Sequence, residues 1–357
     1  MELYCYQAEC GDALRIRYIG DDGNPHNIFL DSGYERTFRY VLQQEINSLI
    51  DSNESIDLWI ISHIHDDHIG GAIKYSKSVN DSETKDIVKT WFYNPPRKYS
   101  IPKNNNDDIS SAKSIRQGDL LYDFLLQTNK LPTFDITTNL SCQNLFGLKM
   151  YILSPTSTTI TELREKYKDG RLLVRNEIDT ISSTKAASIF DYDRLLESFD
   201  LNNFEEDDSL ENRSSISLLF EFEDKKILWL ADSHPTVVYE SLSKMGFSEI
   251  NPLICDFVIV SHHASKGNNS SELYHIIRCD NYLVSSDGEN THCLPTKEAL
   301  SRIIRNPRRD LAIPYNLYFA YDTDNLKRIF QSDTESVYRK WNFKTIYTKD
   351  KSLLFRL

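Results

Sequence analysis

Short apolar runs separated by turn residues set the rhythm of the chain. Residues 3–8, 14–19 and 27–30 read as strands of a meandering sheet, the last closed by Asp31-Ser32-Gly33. Residues 38–50 instead carry Val41, Leu42, Ile46, Leu49 and Ile50 close to helical period. Residues 57–62 are almost wholly apolar and read as a buried central strand. Directly after them comes His63-Ile64-His65-Asp66-Asp67-His68-Ile69-Gly70-Gly71, then a helix start at 72–76. Chemistry at the C-terminal end of a strand is a recurrent arrangement in layered α/β folds.

The same pattern returns twice. A strand at 91–93 ends in Pro95-Pro96, residues 103–108 are polar enough for a mobile loop, 111–126 read as helix, and a strand at 148–153 stops at Ser154-Pro155. Residues 156–212 lack regular alternation; they read as helical at 162–168 and 192–199 and contain the acidic run Glu205-Glu206-Asp207-Asp208, read as a solvated face. Strands resume at 215–222, at 226–230 ending in Ala231-Asp232, and at 257–260 ending in Ser261-His262-His263. A short strand at 282–285, a helix at 296–304 and closing strands at 317–321 and 352–357 complete the pattern. It predicts one elaborated domain over 1–357, with 156–212 as an insertion or cap.

Composition narrows the class. With 357 residues, 40% hydrophobic and 26% charged, the chain can bury a large core. A net charge of −12 argues against a broad electropositive surface for nucleic acid. Arg302, Arg305, Arg308 and Arg309 form a basic cluster that reads as a solvated helix end more readily than as a nucleic-acid patch. The first residues show no basic segment followed by an apolar stretch, and no run approaches the roughly 18 apolar residues of a spanning helix, so a cytoplasmic protein without membrane contact is expected. The six scattered cysteines lack C-x-x-C spacing and read as reduced thiols.

His63-x-His65-x-Asp67-His68 places imidazoles and carboxylates on one tight turn, where alternate side chains reach two adjacent points. Neutral imidazole and carboxylate are ordinary ligands of Zn²⁺ and also serve Mn²⁺. Crowding such groups without a cation would leave partly desolvated polar side chains short of partners. Asp232 and His262, each after an apolar strand, offer a bridging carboxylate and a further imidazole. His234, before Pro235, reads as a helix N-terminal residue.

The order Gly11-Asp12-Ala13, Phe29-Leu30-Asp31-Ser32-Gly33, then the histidine cluster, resembles the metallo-β-lactamase superfamily. Within it the chain is most similar to the hydrolase domain of ComEC-type DNA-uptake proteins, through Asn212-Arg213-Ser214-Ser215, Trp229-Leu230-Ala231-Asp232, Ser261-His262-His263-Ala264-Ser265 and Ser285-Ser286-Asp287-Gly288 with Pro295. The resemblance implies a four-layer αββα sandwich of mixed α/β (α+β) class with an inserted helical or irregular segment, and two divalent metal ions, zinc or manganese, at one edge. It implies His63 and His65 on the first ion, Asp67, His68 and His262 on the second, and Asp232 between them. Asp31 would orient a ligand imidazole. Three departures stand out: Asn212 lies where many relatives carry another histidine, Ala264 replaces a glycine, and His292-Cys293-Leu294-Pro295 replaces Gly-His-Pro.

The implied activity is metal-dependent hydrolysis, with a phosphodiesterase or nuclease acting on DNA as the leading expectation. RNA, a cyclic nucleotide or a non-nucleotide ester is the alternative substrate, and a metal-binding scaffold acting through partners the alternative class. Asp67 is expected to orient or deprotonate the attacking water and His263 to contact substrate oxygens or the leaving group. Asn212, Ser265, Lys266 and His292 are further candidates around substrate. The acidic net charge implies a protein partner for efficient work on duplex nucleic acid.

Overall fold

The computed structural model describes residues 1–98, 110–168 and 190–357; the loop expected at 103–108 lies outside the described residues. Two sheets form the frame. The first contains β1 (Glu2–Tyr6), β2 (Ala13–Ile19), β3 (Pro25–Asp31), β4 (Ile56–Ile60) and β5 (Val88–Phe92). The second contains β6 (Gln143–Leu145), β7 (Leu148–Ser154), β8 (Ser217–Phe222), β9 (Lys225–Trp229), β11 (Phe257–Ile259), β13 (Asn281–Val284), β14 (Tyr315–Phe319) and β15 (Phe343–Tyr347). β10 (Leu253–Ile254) pairs with β12 (Ile277–Arg278), and the last strand, β16 (Ser352–Arg356), joins the first sheet beside β1. Strand orders are β16-β1-β2-β3-β4-β5 and β15-β14-β13-β11-β9-β8-β7-β6.

Period-two alternation splits the apolar residues between three cores. Ile28, Leu30, Leu58 and Ile60 of the first sheet face Leu218, Phe220, Ile227 and Trp229 of the second, in a core between the sheets. The residues between them point outward: Phe29 and Trp59 pack under Ile46, Ile69, Ile73 and Leu121 of covering helices. Leu219, Leu228 and Val258 do the same against Val238, Leu242, Leu300 and Ile303 on the other side. The fold is therefore the four-layer αββα sandwich. Among the described residues, no helix is long and apolar enough to cross a membrane.

This topology gathers one set of strand ends. β3 and β4 run parallel, as do β9, β11 and β13, so Asp31, Ser62-His63, Asp232, His262 and Ser285 all follow or close strands at one edge. β2 runs antiparallel to β3 with Ala13 opposite Asp31, which brings Asp12 to the same edge. Backbone strain concentrates there. Asp31, Ala231, His262, His263 and Ala264 all hold left-handed φ angles, between 45° and 65°.

Two expectations need correction. Of the four arginines at 302–309, Arg302, Arg305 and Arg309 turn inward rather than forming a solvated helix end, and Arg308 is exposed and pairs with Glu249. Arg302, only 2% exposed, donates to the carbonyls of Lys266, Asn269 and Asn203; Arg305 donates to those of Leu196 and Phe199; and Arg309 to those of Ile304, Ile313 and Asn342. The planar, multi-donor guanidinium satisfies loop carbonyls that have no strand partner. The helix expected at 192–199 is a single 3-10 turn at Leu196–Ser198. Tertiary contacts displace the helical backbone: the Asp191 carboxylate accepts from the N–H groups of Lys297 and Glu298, at the start of helix Lys297–Ile304, while Tyr192 and Leu196 enter the outer core.

The same segment leans on a buried ion pair. Lys297 Nζ lies 2.6 Å from Asp333 Oδ2, with both side chains fully buried, and also donates to Ser332 Oγ and the Tyr192 carbonyl. Replacing Lys297 by Met strands the Asp333 carboxylate in the interior. The expected loss is about 3–5 kcal/mol in urea unfolding; a variant as stable as the parent would show the pair to be dispensable.

Candidate metal centre

Close backbone approach builds the rim. The helix Asp66–Asn80 starts just past His65 and carries Gly70-Gly71 against the Asp31-Ser32-Gly33 turn, where Ser32 Oγ donates to the His68 carbonyl (2.6 Å) and Gly71 N to the Gly33 carbonyl (2.9 Å). A Cβ at Gly71 would collide with the Ser32 carbonyl, and one at Gly11 with that of Asp67. Those two glycines let three loops touch.

Hydrogen bonds on the outer side of the imidazoles decide where their protons sit. His68 Nδ1 lies 2.7 Å from Asp31 Oδ2, and His263 Nδ1 lies 2.7 Å from the Ser285 carbonyl; both partners only accept. Ser62 Oγ gives its proton to Asp31 Oδ2 (2.7 Å), which leaves its lone pairs for His63 Nδ1 at 3.0 Å. His262 Nδ1 faces Asn268 Oδ1 at 2.7 Å. In neutral rings every Nδ1 then carries the hydrogen and every Nε2 a lone pair.

Those Nε2 atoms converge on Asp232, which is 1% exposed. From Asp232 Oδ2, His63 Nε2 lies at 3.7 Å and His262 Nε2 at 3.6 Å. From Asp232 Oδ1, His68 Nε2 lies at 3.3 Å and His263 Nε2 at 3.9 Å; these two stand 3.7 and 3.4 Å from Asp67 Oδ2. Nε2 of His63, His68 and His263 and Oδ1 of Asp232 are buried without a hydrogen-bond partner. Atoms about 2.0–2.1 Å from one tetrahedral ion stand about 3.4 Å apart, near the short end of the 3.3–3.9 Å separations here. The orphaned buried atoms thus fit divalent cations. Three sets of potential ligands result among the described residues: His63, His68 and Asp232; Asp67, His68 and His263; and Asp12, Asp31 and His68.

The histidine pair after β11 takes up roles different from the sequence expectation. His262 was expected beside Asp67 and His68, with His263 free for substrate. The distances place His263 beside Asp67 and His68, while His262 stands with His63 on the other oxygen of Asp232. At 1% exposure His263 is sealed behind the cluster, whereas the His262 side chain keeps 24%. Consecutive left-handed residues turn the two rings apart, which alternation along a strand would not foretell. His65 stacks edge-on against His63 at 4.6 Å between centroids.

Asp31 accepts from the Ser62 N–H through Oδ1 and holds His68 Nδ1 at 2.7 Å through Oδ2. Asn212 is buried with its Nδ2 3.4 Å from His262 Nδ1 and its Oδ1 unpartnered. Lys266 is exposed, 4.0 Å from Glu298, and Ser265 lends its carbonyl to Asn269. His292 is exposed in the turn after Asn290 and belongs to none of the convergent groups among the described residues. The sequence assigned no role to Asp12, Ser62, Asp207, Asn268 or Ser285, although Asp12, inside Gly11-Asp12-Ala13, and Ser285, inside Ser285-Ser286-Asp287-Gly288, lie in motifs that carry the resemblance. Asp12 Oδ1 lies 3.7 Å from His263 Nδ1 and Asp12 Oδ2 accepts from Trp229 Nε1 at 3.2 Å.

Electrostatics describe a cluster that collects cations. Burial pushes the Asp31 carboxyl up to about 6 against the pull of His68. Burial alone would discharge His68, but Asp232, Asp67 and Asp31 outweigh it and hold His68 well above the ordinary imidazole range. His263, likewise disfavoured by burial, is raised to about 9 by the nearby Asp67 and Asp232 carboxylates.

Residues 21–104 match the Metallo-beta-lactamase superfamily. That stretch holds Asp31 and the whole His63 to His68 cluster. No curated relative matches the sequence. Similar solved structures include a mutant of the CmlA beta-hydroxylase, at 15% identity and a TM-score of 0.39 over 100% of this chain and 54% of the other. The chain thus spans about half the length of that protein. Another is the metallo-beta-lactamase fold protein YhfI from Bacillus subtilis, at 10% identity and a TM-score of 0.39 over 99% of both chains.

A metal titration checks the cluster. The purified chain is expected to retain about two Zn²⁺ or Mn²⁺ ions after dialysis, to release protons as they bind because His68 and His263 must discharge, and to lose most of this capacity in Asp232→Asn. Proton-neutral binding or unchanged stoichiometry in that variant would contradict the assignment.

Proposed function

We propose that the chain is a binuclear metal-dependent hydrolase that cleaves phosphodiesters. The observation that carries this reading is the convergence of imidazole Nε2 atoms, bare of hydrogen-bond partners at His63, His68 and His263, on Asp67 and Asp232 at one sheet edge. His63, His65 and His262 would hold one ion with Asp232 Oδ2, and Asp67, His68 and His263 the other with Asp232 Oδ1. Such ions supply Lewis acidity and lower the pKa of water.

The chain's own residues do the rest. Asp67 keeps 22% side-chain exposure, against 1% for Asp232 and none for Asp31, so its carboxylate is the one a water can approach. Asp67 Oδ2 is the proton acceptor in this reading. The His262 side chain, 24% exposed, faces the open side and suits substrate contact, while Asn212 is buried beside it with an unpartnered Oδ1.

The rim favours a small diester over a long duplex. Lys113 pairs with Asp66, Lys166 with Glu211, Arg213 with Glu162, and Lys266 lies 4.0 Å from Glu298. With these cations matched and a net charge of −12, a polyanion gains little beyond the metals themselves. Efficient duplex cleavage then calls for a partner that brings positive charge, and DNA, RNA or a non-nucleotide ester remain arms of one assay.

The test uses bis(p-nitrophenyl) phosphate, single-stranded DNA, duplex DNA, RNA and a carboxylic ester, each with Zn²⁺, Mn²⁺ or chelator. Turnover of the small diester with metal is expected, with slow cleavage of long duplex at moderate salt. Asp67→Ala should lose more than about 100-fold in rate with its fold intact. Ester turnover without diester turnover would redirect the substrate class, and metal binding without any turnover would favour a scaffold.

A further inference from the structure

The acidic run at 205–208 reads in the sequence as a solvated face, yet one of its members turns inward. The Asp207 side chain is 17% exposed, and its N–H donates to the Gly267 carbonyl at 3.0 Å, which ties the run to the loop after His262-His263. Asp207 Oδ2 accepts from Asn212 Nδ2 (2.6 Å) and Asn268 Nδ2 (3.3 Å).

Asn268, fully buried, is the informative member. Its Nδ2 faces two groups that can only accept, Asp207 Oδ2 and the Asp232 carbonyl at 3.0 Å. The amide nitrogen must therefore lie on that side and the amide oxygen on the other, 2.7 Å from His262 Nδ1. An amide oxygen cannot donate, and Asn212 Nδ2, 3.4 Å from the same ring nitrogen, is engaged at the shorter 2.6 Å by Asp207 Oδ2, so the His262 hydrogen sits on Nδ1. Nε2 keeps its lone pair, 3.6 Å from Asp232 Oδ2.

We infer that Asp207 and Asn268 are positioning residues that fix the His262 tautomer, and that the segment ending at Asp207 thereby completes the metal centre. This rests on the reading of His262 as a ligand and goes beyond it by giving the acidic run a task. Without Asp207 only the Asp232 carbonyl still holds the Asn268 nitrogen on that side, and an amide that rotates presents Nδ2 to His262 Nδ1. That nitrogen then has to accept, the hydrogen moves to Nε2, and the imidazole leaves the ligand set.

Long-range ¹H–¹⁵N spectra of the metal-free, labelled chain at about pH 8 distinguish the two neutral tautomers, with His262→Gln supplying the assignment. The wild type is expected to show Nδ1–H. Asp207→Ala should shift His262 towards Nε2–H and weaken Zn²⁺ affinity, by chelator competition, about 10–100-fold. Asp207→Asn, which still offers an amide oxygen to both donors, should recover most of both. Asp208→Ala, at an exposed neighbour, should change neither. An Nε2–H tautomer in the wild type, or an Asp207→Ala variant with parental tautomer and affinity, overturns the inference. If Asp207→Ala does not fold, the wild-type tautomer still decides. A wild type that binds no Zn²⁺ defeats the metal reading instead, and the tautomer measurement continues to judge the relay.

Discussion

Asp232 sits almost wholly out of water with four imidazole Nε2 atoms between 3.3 and 3.9 Å from its oxygens and no hydrogen bond to Oδ1. Burying a carboxylate and several lone pairs together costs several kcal/mol unless a cation or protons fill the space between them. Much of the surrounding architecture answers that constraint. Parallel strand pairs in each sheet bring their ends to one edge, left-handed backbone at Asp31, Ala231 and His262-His263-Ala264 aims the side chains inward, and glycines at 11 and 71 let the loops close. A cation that binds only the folded arrangement adds its binding free energy to stability, so folding and metal occupancy are linked.

The outer side of the cluster is as ordered as the inner. Asp31, Ser62, Ser285 and Asn268 each engage one Nδ1, drawn from loops that follow β3, β4, β13 and β11. Each partner supplies an oxygen, so each ring turns the same nitrogen inward. That uniformity is a property of the set: one partner replaced by a donor would invert one ring and remove one ligand. Asp31 serves two imidazoles, directly for His68 and through Ser62 for His63, which accounts for its complete burial.

Charge elsewhere is handled locally. Arg302, Arg305 and Arg309 brace backbone carbonyls, the rim cations meet carboxylates, and Lys297 pairs with Asp333 inside the protein. The net charge of −12 works against binding of long polyanions.

Local pattern alone determined the sheet-helix alternation, the apolar strands β4, β9 and β11, and the identity of the residues crowded after them, because a two-residue period and five chelating side chains within the six residues 63–68 need no distant partner to be seen. The four-layer arrangement came through resemblance, and the structure accounts for it through the opposite faces of residues such as Phe29 and Leu30. Tertiary structure decided what depends on contacts far apart in sequence. Asp12 meets Trp229 across 217 residues, Asn268 reads its orientation from Asp207 and Asp232, and residues 192–199 give up a helix to cap another. It also decided which imidazole stands with which carboxylate, since the turn at His262-His263 sets those directions through backbone angles that neither residue type announces.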